Sequence, residues 1–488
     1  LKMSSSYEVS LPSGEIKINP EHAELDRKAF DNFNPEKIAR YMPAKINKLL
    51  EINMLKIFSS YLQKIKNNPY ILQSLITLIL RVIGVLVLFG FTLFFTKNFS
   101  PKIVGQYDFV RSFLLVAGSI CLLGCDQSIL YFRGRFKGEN TLSALKQIYI
   151  KMVFILFSMS IILVLIVLSI DKNFINSFFS DEAVYLILLK SAIILFFSAL
   201  TTLNTEVFRA LNYLYIAELF RNIVKYFPLI FGAITLFYLH KETYLVDVFL
   251  LGFLILSTIT TVLVFNYFRK TSGSNSEPIG YKEIINKSYP IAISGMALFL
   301  MMSLDVMFLK KYRGDATVAF YSLAVKLMTV LSIVIVTVNI TISTKIAECF
   351  SNNSNIELNR MLKNSSRLIF VLTFPLVVFI VIFSEKILIF FGNDYVAAQQ
   401  ALLILIIGQG ICSAFGSASV YLNMTGRQHI FKGILLVSVI INFVLNRFLI
   451  PEYGMSGAAI AFVVSSFFWN AFASGIIYYK DKVKVFLN

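Results

Sequence analysis

Ten ionisable side chains lie inside stretches that are otherwise apolar. Seven are basic, Arg81, Arg111, Lys190, Arg221, Lys225, Lys326 and Arg447, and three are acidic, Asp126, Glu218 and Asp305. A charge at bilayer depth costs about 2.5–3.5 kcal/mol on insertion scales, so such a group faces a cavity or a partner and is a functional candidate by default. Arginine offers phosphate oxygens a planar fork that cannot lose its proton, and lysine offers a compact point charge. Ion pairs kept only for structure would balance in sign. Seven against three predicts instead a hydrated chamber that receives an anion. Glu218, Arg221 and Lys225 stand at i, i+3 and i+7, which puts all three on one face of a helix, predicted to look inward. The three acids are the candidate sites for a proton or a small cation. Simpler roles stand beside these. Arg111, Lys326 and Arg447 lie near predicted span ends, where their stems could snorkel to an interface. Asp126 could pair with Arg81 or Arg111, and Asp305 with Lys310 or Lys311.

The elements that must hold these groups follow from hydropathy. The chain has 488 residues, 57% of them hydrophobic and only 15% charged, with a mean hydropathy of +0.73. Runs of roughly 20 apolar residues, enough to cross a bilayer as helix, recur along its whole length. The alternation of a β-barrel is missing. The prediction is an all-α polytopic membrane protein of about twelve transmembrane helices, in two six-helix bundles around a central cavity. Spans are expected near 71–96, 106–132, 150–170, 183–203, 213–239, 245–268, 289–309, 318–344, 367–391, 396–424, 430–450 and 455–479. Lysine and arginine concentrate in alternate loops, which places both termini on the cytoplasmic side; the LKKYRG cluster at Lys310–Arg313 runs against that count.

Four regions are expected. Residues 1–70 form a polar cytoplasmic leader, without the shape of a cleaved signal peptide, whose basic amphipathic stretch over 46–65 suits an anionic leaflet. Residues 71–268 form a first six-helix bundle, and the Ser/Gly/Asn-rich 269–288 a linker. Residues 289–488 form a second bundle with a short basic tail. A weak repeat relates VGQYDFVRSFLLVAGSI from Val104 to VAFYSLAVKLMTVLSIV from Val318, and like-oriented halves with a site between them are a common carrier plan.

Other chemistries are disfavoured. There is no GxxxxGK[ST] loop for ATP, and His22, His240 and His429 show no metal spacing. Cys121, Cys125, Cys349 and Cys412 sit in or beside apolar runs and read as small core residues. The predicted outer loops are too short for a catalytic domain. No enzyme activity, cofactor, metal or nucleic-acid partner is expected. A membrane-embedded glycan polymerase or acyltransferase would want a large outer loop or an intramembrane histidine, and a channel or scaffold would not need the mixed charges and the repeat.

Three stretches carry a family likeness. RVIG from Arg81 with the turn SPKIVGQYDF, SLDVMFLKKYRGDATVAFYSLAVKL from Ser303, and NFVLNRFLIPEYGMSGAAIAFVVS over Asn442–Ser465 resemble polysaccharide flippases of the multidrug/oligosaccharidyl-lipid/polysaccharide exporter superfamily. The likeness covers about residues 54–480, and the leader before Met54 departs from the usual short start. The resemblance implies a bacterial inner-membrane carrier that moves a polyprenyl-pyrophosphate-linked oligosaccharide, an O-antigen or exopolysaccharide unit, to the outer leaflet by alternating access. Proton or sodium coupling is implied, with membrane lipids and glycan polymerase or assembly proteins as partners. A cation-coupled drug exporter of the same superfamily is the nearest alternative; it would favour acidic, aromatic surroundings over basic ones.

Overall fold

The computed structural model describes residues 8–9, 16–17, 69–135, 141–269, 279–352 and 354–487. Residues 1–83 with 137–139 form one compact unit, and 84–136 with 140–488 a second. In the first, β1 (Glu8–Val9) pairs antiparallel with β2 (Ile16–Lys17), registering Glu8 against Lys17 and Val9 against Ile16. The same unit holds the start of α1 (Pro69–Asn98). The basic stretch expected over 46–65 lies outside the described residues, as does 270–278 of the linker.

The second unit continues through α2 (Pro101–Leu122), α3 (Cys125–Arg135), α4 (Thr141–Ser169), the short α5 (Lys172–Phe179), α6 (Val184–Ala210), α7 (Leu214–Asn222), α8 (Phe227–Tyr238) and α9 (Leu245–Phe268). After the linker come α10 (Tyr281–Arg313), α11 (Asp315–Ser351), α12 (Asn355–Phe391), α13 (Gln399–Ser413), α14 (Ala418–Met424) and α15 (Gln428–Asp481). Eleven helical stretches among the described residues are long and apolar enough to cross a membrane. The last, of 54 residues, is two helices. Gly454 has φ 56° and ψ −127°, and a Cβ on Gly457 would lie 2.3 Å from the Leu449 carbonyl oxygen. In a straight helix those residues stand about 12 Å apart, so the chain has turned back on itself. Twelve spans result among the described residues, and the helical polytopic membrane fold is as expected.

Three expected spans are broken, among them 396–424, which is interrupted over 414–417 between α13 and α14, where Gly416 has φ 62°. The second divides at Leu123 (φ 45°) and Gly124 (φ 77°), where α10 crosses so closely that a Cβ on Gly124 would meet the Ser288 carbonyl at 2.4 Å. The fifth divides at a 3-10 turn over Val224–Tyr226; Pro228 follows, whose ring disfavours α conformation before it. The break in the fifth span overturns the single-face reading of Glu218, Arg221 and Lys225. The first two are on α7, but Lys225 is exposed on the 3-10 turn. The linker is also shorter than expected, because residues 281–288 are the first two turns of α10.

Large apolar residues spaced along α4, Phe154, Phe157, Ile161, Leu165 and Leu168, are exposed, as a lipid-facing helix surface requires. Inside, one buried cluster runs from Phe95 and Tyr107 through Leu309 and Tyr321 to Ile450, so both parts of the chain share a core. Their seam is tight where α2 meets α11. A Cβ on Gly105 would fall 1.8 Å from the Asp315 carbonyl oxygen, while one on Gly118, on the same helix, would meet nothing within 4 Å. Gly105→Ala is therefore expected to destabilise the protein by about 1–3 kcal/mol through overpacking. Gly118→Ala should leave the melting temperature in detergent unchanged or raise it, since alanine is the better helix former.

Candidate functional site

Asp108 of α2 is 1% exposed, and about 10 Å below the start of its helix at 1.5 Å per residue. Lys326 of α11, 6% exposed, places its Nζ 2.9 Å from Oδ1 and 3.0 Å from Oδ2 of that carboxylate. Arg111, one turn further along α2, approaches Oδ1 at 3.5 Å. Two cations thus share one carboxylate, and the cluster keeps a net charge of +1. Its exposure is uneven. Lys326 is sealed, with its Nζ 5.9 Å from the centroid of the buried Tyr107 ring, whereas the Arg111 side chain is 38% exposed. A guanidinium has five N–H donors, and a single long contact to Asp108 leaves the Arg111 fork able to engage an anion.

The sequence reading named Arg111 and Lys326 but missed Asp108, which was in plain sight in GQYDF within an expected span. Asp247, inside the expected 245–268 span, was missed in the same way, whereas Glu206 lies just beyond the expected 183–203 span. Arg221 bonds Glu206 and stands 3.9 Å from Glu218; Glu206 also takes Arg209 at 3.0 Å, and Glu218, 2% exposed, receives Asn222 Nδ2 at 2.8 Å. Lys190 Nζ lies 2.6 Å from Asp247, with both side chains partly exposed. Counting the three extra carboxylates and the Arg209 that Glu206 also holds, eight cations face six acids, and the excess inferred from sequence falls from four to two. Buried cations had drawn their counter-ions, because an uncompensated buried charge is the costly case.

Within the second unit the six cations named from sequence form separate groups. Arg111 and Lys326 meet on Asp108; Arg221 meets Glu206 and Glu218; Lys190 pairs with Asp247. Lys225 lies 4.9 Å from the centroid of the Tyr226 ring. Arg447 is exposed on the α15 face that also exposes Phe443, Val444 and Phe448, which fits a snorkelling stem. Asp126 is half-buried in the first turn of α3, where the helix dipole favours an anion, and accepts from Gln127 at 3.2 Å. Its expected partner Arg111 is bonded to Asp108 instead. Arg81 is half-buried on the part of α1 that belongs to the first unit.

Asp305 of α10, 1% exposed, has a different environment. Tyr321 donates its hydroxyl to Oδ2 at 2.7 Å, and Oδ1 accepts from Asn446 Nδ2 at 2.7 Å and Asn442 Nδ2 at 3.3 Å. The expected partners are engaged elsewhere. Lys310 bonds Asp181 and, at 2.6 Å, Asp315, and Lys311 sits 3.5 Å from the centroid of the Phe178 ring. All three donors to Asp305 are therefore neutral. Asn446 Oδ1, in the same cluster, is buried without a hydrogen-bond partner. A carboxylate and an orphaned amide oxygen together suit a proton or a small hard cation, which takes oxygen ligands. The Asn pair is legible as INFVLNRF, two amides at i and i+4 on an apolar helix, where an uncompensated amide is costly just as a charge is.

Contacts between the two parts of the chain hold both ends of the bundle. At the end bearing the linker, Ser128 and Ser288 hydroxyls lie 2.6 Å apart, Arg135 pairs with Glu283, and Lys151 Nζ reaches the Ile279 carbonyl at 2.5 Å. At the far end Lys310, 2% exposed, ties Asp181 to Asp315. Burial would push the Asp181 carboxyl up, but the Lys310 hydrogen bond and charge outweigh it and hold the group below its usual range. That contact is thus fully present above the ordinary carboxylate range and is lost as pH falls below it.

A twelve-helix bundle whose halves meet on a buried charge cluster has the architecture of a membrane carrier. Solved structures with this fold include "Lipid II flippase MurJ, inward closed conformation" (14% identity, 83% of this chain and 87% of that one, TM-score 0.65). A structure of the MATE multidrug transporter DinF-BH is similar too (15% identity, 85% and 95% covered, TM-score 0.61). A profile described as polysaccharide biosynthesis protein matches residues 70–344, and the MatE profile matches 290–448. The first covers more than half of the chain, which belongs to the polysaccharide biosynthesis protein family, as the resemblance to the exporter superfamily implied. Among curated proteins, "Probable low-salt glycan biosynthesis flippase Agl15" of Haloferax volcanii is 27% identical over 188 residues. That match takes in 38% of this chain and spans 39% of the relative's length.

Proposed function

We propose that the protein is a flippase that carries a polyprenyl-diphosphate-linked glycan unit from the cytoplasmic to the outer leaflet of a bacterial inner membrane, with both termini cytoplasmic. A polyprenyl tail of about 50 carbons, at ~0.8 kcal/mol per CH₂, would cost tens of kcal/mol to extract from lipid, so the tail stays there. Only the head crosses, and its diphosphate needs compensating charge on the way. The observation that carries the reading is the pair of cations sharing Asp108 at the seam between the halves. One positive charge is left over, on a guanidinium within reach of solvent. A diphosphate that engages Arg111 competes with Asp108 for both cations and loosens the seam as it binds. Arg221 is a further candidate along the head group's route.

Direction requires a driving force, and Asp305 with Tyr321, Asn442 and Asn446 is the candidate seat of the coupling proton or sodium ion. Moving one charge through the membrane potential yields about 2.3 kcal/mol per 100 mV. Alternating access then breaks the Ser128–Ser288 and Arg135–Glu283 contacts at one end, or the Lys310–Asp181 contact at the other. A glycan polymerase or other assembly protein would take the delivered unit. An organic-cation exporter fits less well, since the seam carries a surplus of positive charge.

Cells that depend on this protein for a surface glycan test the proposal. Arg111→Gln should cut surface glycan at least about tenfold, the equivalent of one lost charge-assisted contact, with the lipid-linked unit accumulating on the cytoplasmic face. Normal glycan and no accumulated precursor, with Arg111→Gln protein at wild-type level, would overturn it.

A further inference from the structure

A cavity of about 1260 Å³ lies between α11 and α12, lined by residues of those two helices and by Ser354 between them. It lies well away from the Asp108 cluster: Thr337, its nearest lining residue on α11, is eleven residues, or about 16 Å, beyond Lys326. Its walls change character along the helix axes. Lys345, Glu357 and Arg360 surround the mouth; Thr341, Asn364 and Ser365 follow; Thr337, Val338, Leu368 and Leu372 lie deepest. From Arg360 to Leu372 is about 18 Å along α12, close to the depth of one leaflet's hydrocarbon, half of roughly 30 Å.

Charge at the mouth is specific. Lys345 and Glu357 form an ion pair at 3.3 Å, with both side chains more than half exposed. Arg360 is exposed and has no ion-pair partner among the described residues. Two cations and one acid leave +1, the complement of one phosphodiester. The Thr341 and Thr337 hydroxyls donate to their own helix, while the exposed Asn364 amide can donate to an ester carbonyl at the level where a glycerol backbone would lie. Leu368 and Leu372, 49% and 46% exposed, offer apolar surface at acyl-chain depth.

We infer that this groove is a binding site for a monoanionic glycerophospholipid of the leaflet at the linker end, with its phosphodiester on Arg360 and Lys345 and its acyl chains along Leu368 and Leu372. The site is independent of the flippase reading and of its substrate.

The full-length protein, delipidated in detergent and titrated with phosphatidylglycerol or phosphatidylcholine, is examined by native mass spectrometry for retained lipid. Wild type should keep one phosphatidylglycerol in preference to phosphatidylcholine. Lys345→Gln/Arg360→Gln should weaken retention roughly thirtyfold, from two basic contacts near a membrane surface. Leu368→Trp, which fills the groove and leaves the mouth intact, should abolish the bound lipid while the melting temperature without lipid stays unchanged. Equal retention of the two lipids, or wild-type retention by both variants, overturns the assignment. So does displacement of phosphatidylglycerol by a stoichiometric short-chain polyprenyl diphosphate, which would make the groove a substrate site.

Discussion

Asp108→Asn will destabilise the protein by about 3–5 kcal/mol, because it strands a buried lysine and keeps none of the charge that compensated it. Lys326 is 6% exposed and bonds both oxygens of Asp108; the amide of asparagine supplies one acceptor and no charge. Thermal unfolding in detergent, followed by circular dichroism, reads the loss directly. The double replacement Asp108→Asn/Lys326→Met separates structure from function. Substituting both members of a buried pair by neutral groups is often neutral or stabilising, so the double variant should recover most of the melting temperature. If the cluster only held the two halves together, transport would recover with it. In the proposed mechanism the anion site has lost one of its two cations, and flipping stays at least about tenfold below wild type despite restored stability. Recovery of both would assign the pair a structural role alone.

Asp305→Asn is the second large effect. Asparagine matches aspartate in shape and still accepts one hydrogen bond, from Tyr321 or from the Asn442–Asn446 pair, so stability should change little. An amide cannot exchange a proton or balance a sodium ion. If one coupling charge enters per cycle at Asp305, the variant forfeits a driving force of about 2.3 kcal/mol per 100 mV, roughly fiftyfold in concentrating power. Reconstituted vesicles with an imposed potential measure this. Wild type should accumulate flipped substrate with the gradient, and the variant should only equilibrate it. Gradient-driven accumulation by Asp305→Asn would move coupling to Asp126, Glu218 or another group.

The contrast between the two acids shows where reading the chain alone succeeded. Asp305 was singled out because a carboxylate inside an apolar run is conspicuous, and its burial followed. Its company was not foreseen: Lys310 and Lys311 are five and six residues away and attract the eye, but the helix carries them toward the far end, where Asp181 and Phe178 receive them. The donors that reach Asp305 come from α11 and α15, the latter 137 and 141 residues distant. Likewise, Glu218, Arg221 and Lys225 looked like one helical face until a single 3-10 turn redirected the third. Helical periodicity holds only while the helix continues, and nothing in VKYFP announces the turn except the proline.

Composition and hydropathy alone determined that this is a helical membrane protein of about twelve spans, since lipid leaves the backbone no alternative to internal hydrogen bonding over lengths of about 20 residues. They also marked Glu218, Asp305 and Lys326, which are buried, but not the buried Asp108 and Glu206, and they included Lys225 and Arg447, which are exposed. Tertiary structure alone decided which of them meet: that Asp108 joins Arg111 to Lys326 across 218 residues of chain, that Asp305 is left with neutral donors, and that α11 and α12 part to form a groove with a charged mouth. Membrane insertion is a property of local composition, whereas burial and pairing depend on helix crossings and on the few breaks, at Leu123–Gly124, Ile223–Tyr226, Ala414–Ser417 and Gly454, that set where each side chain points.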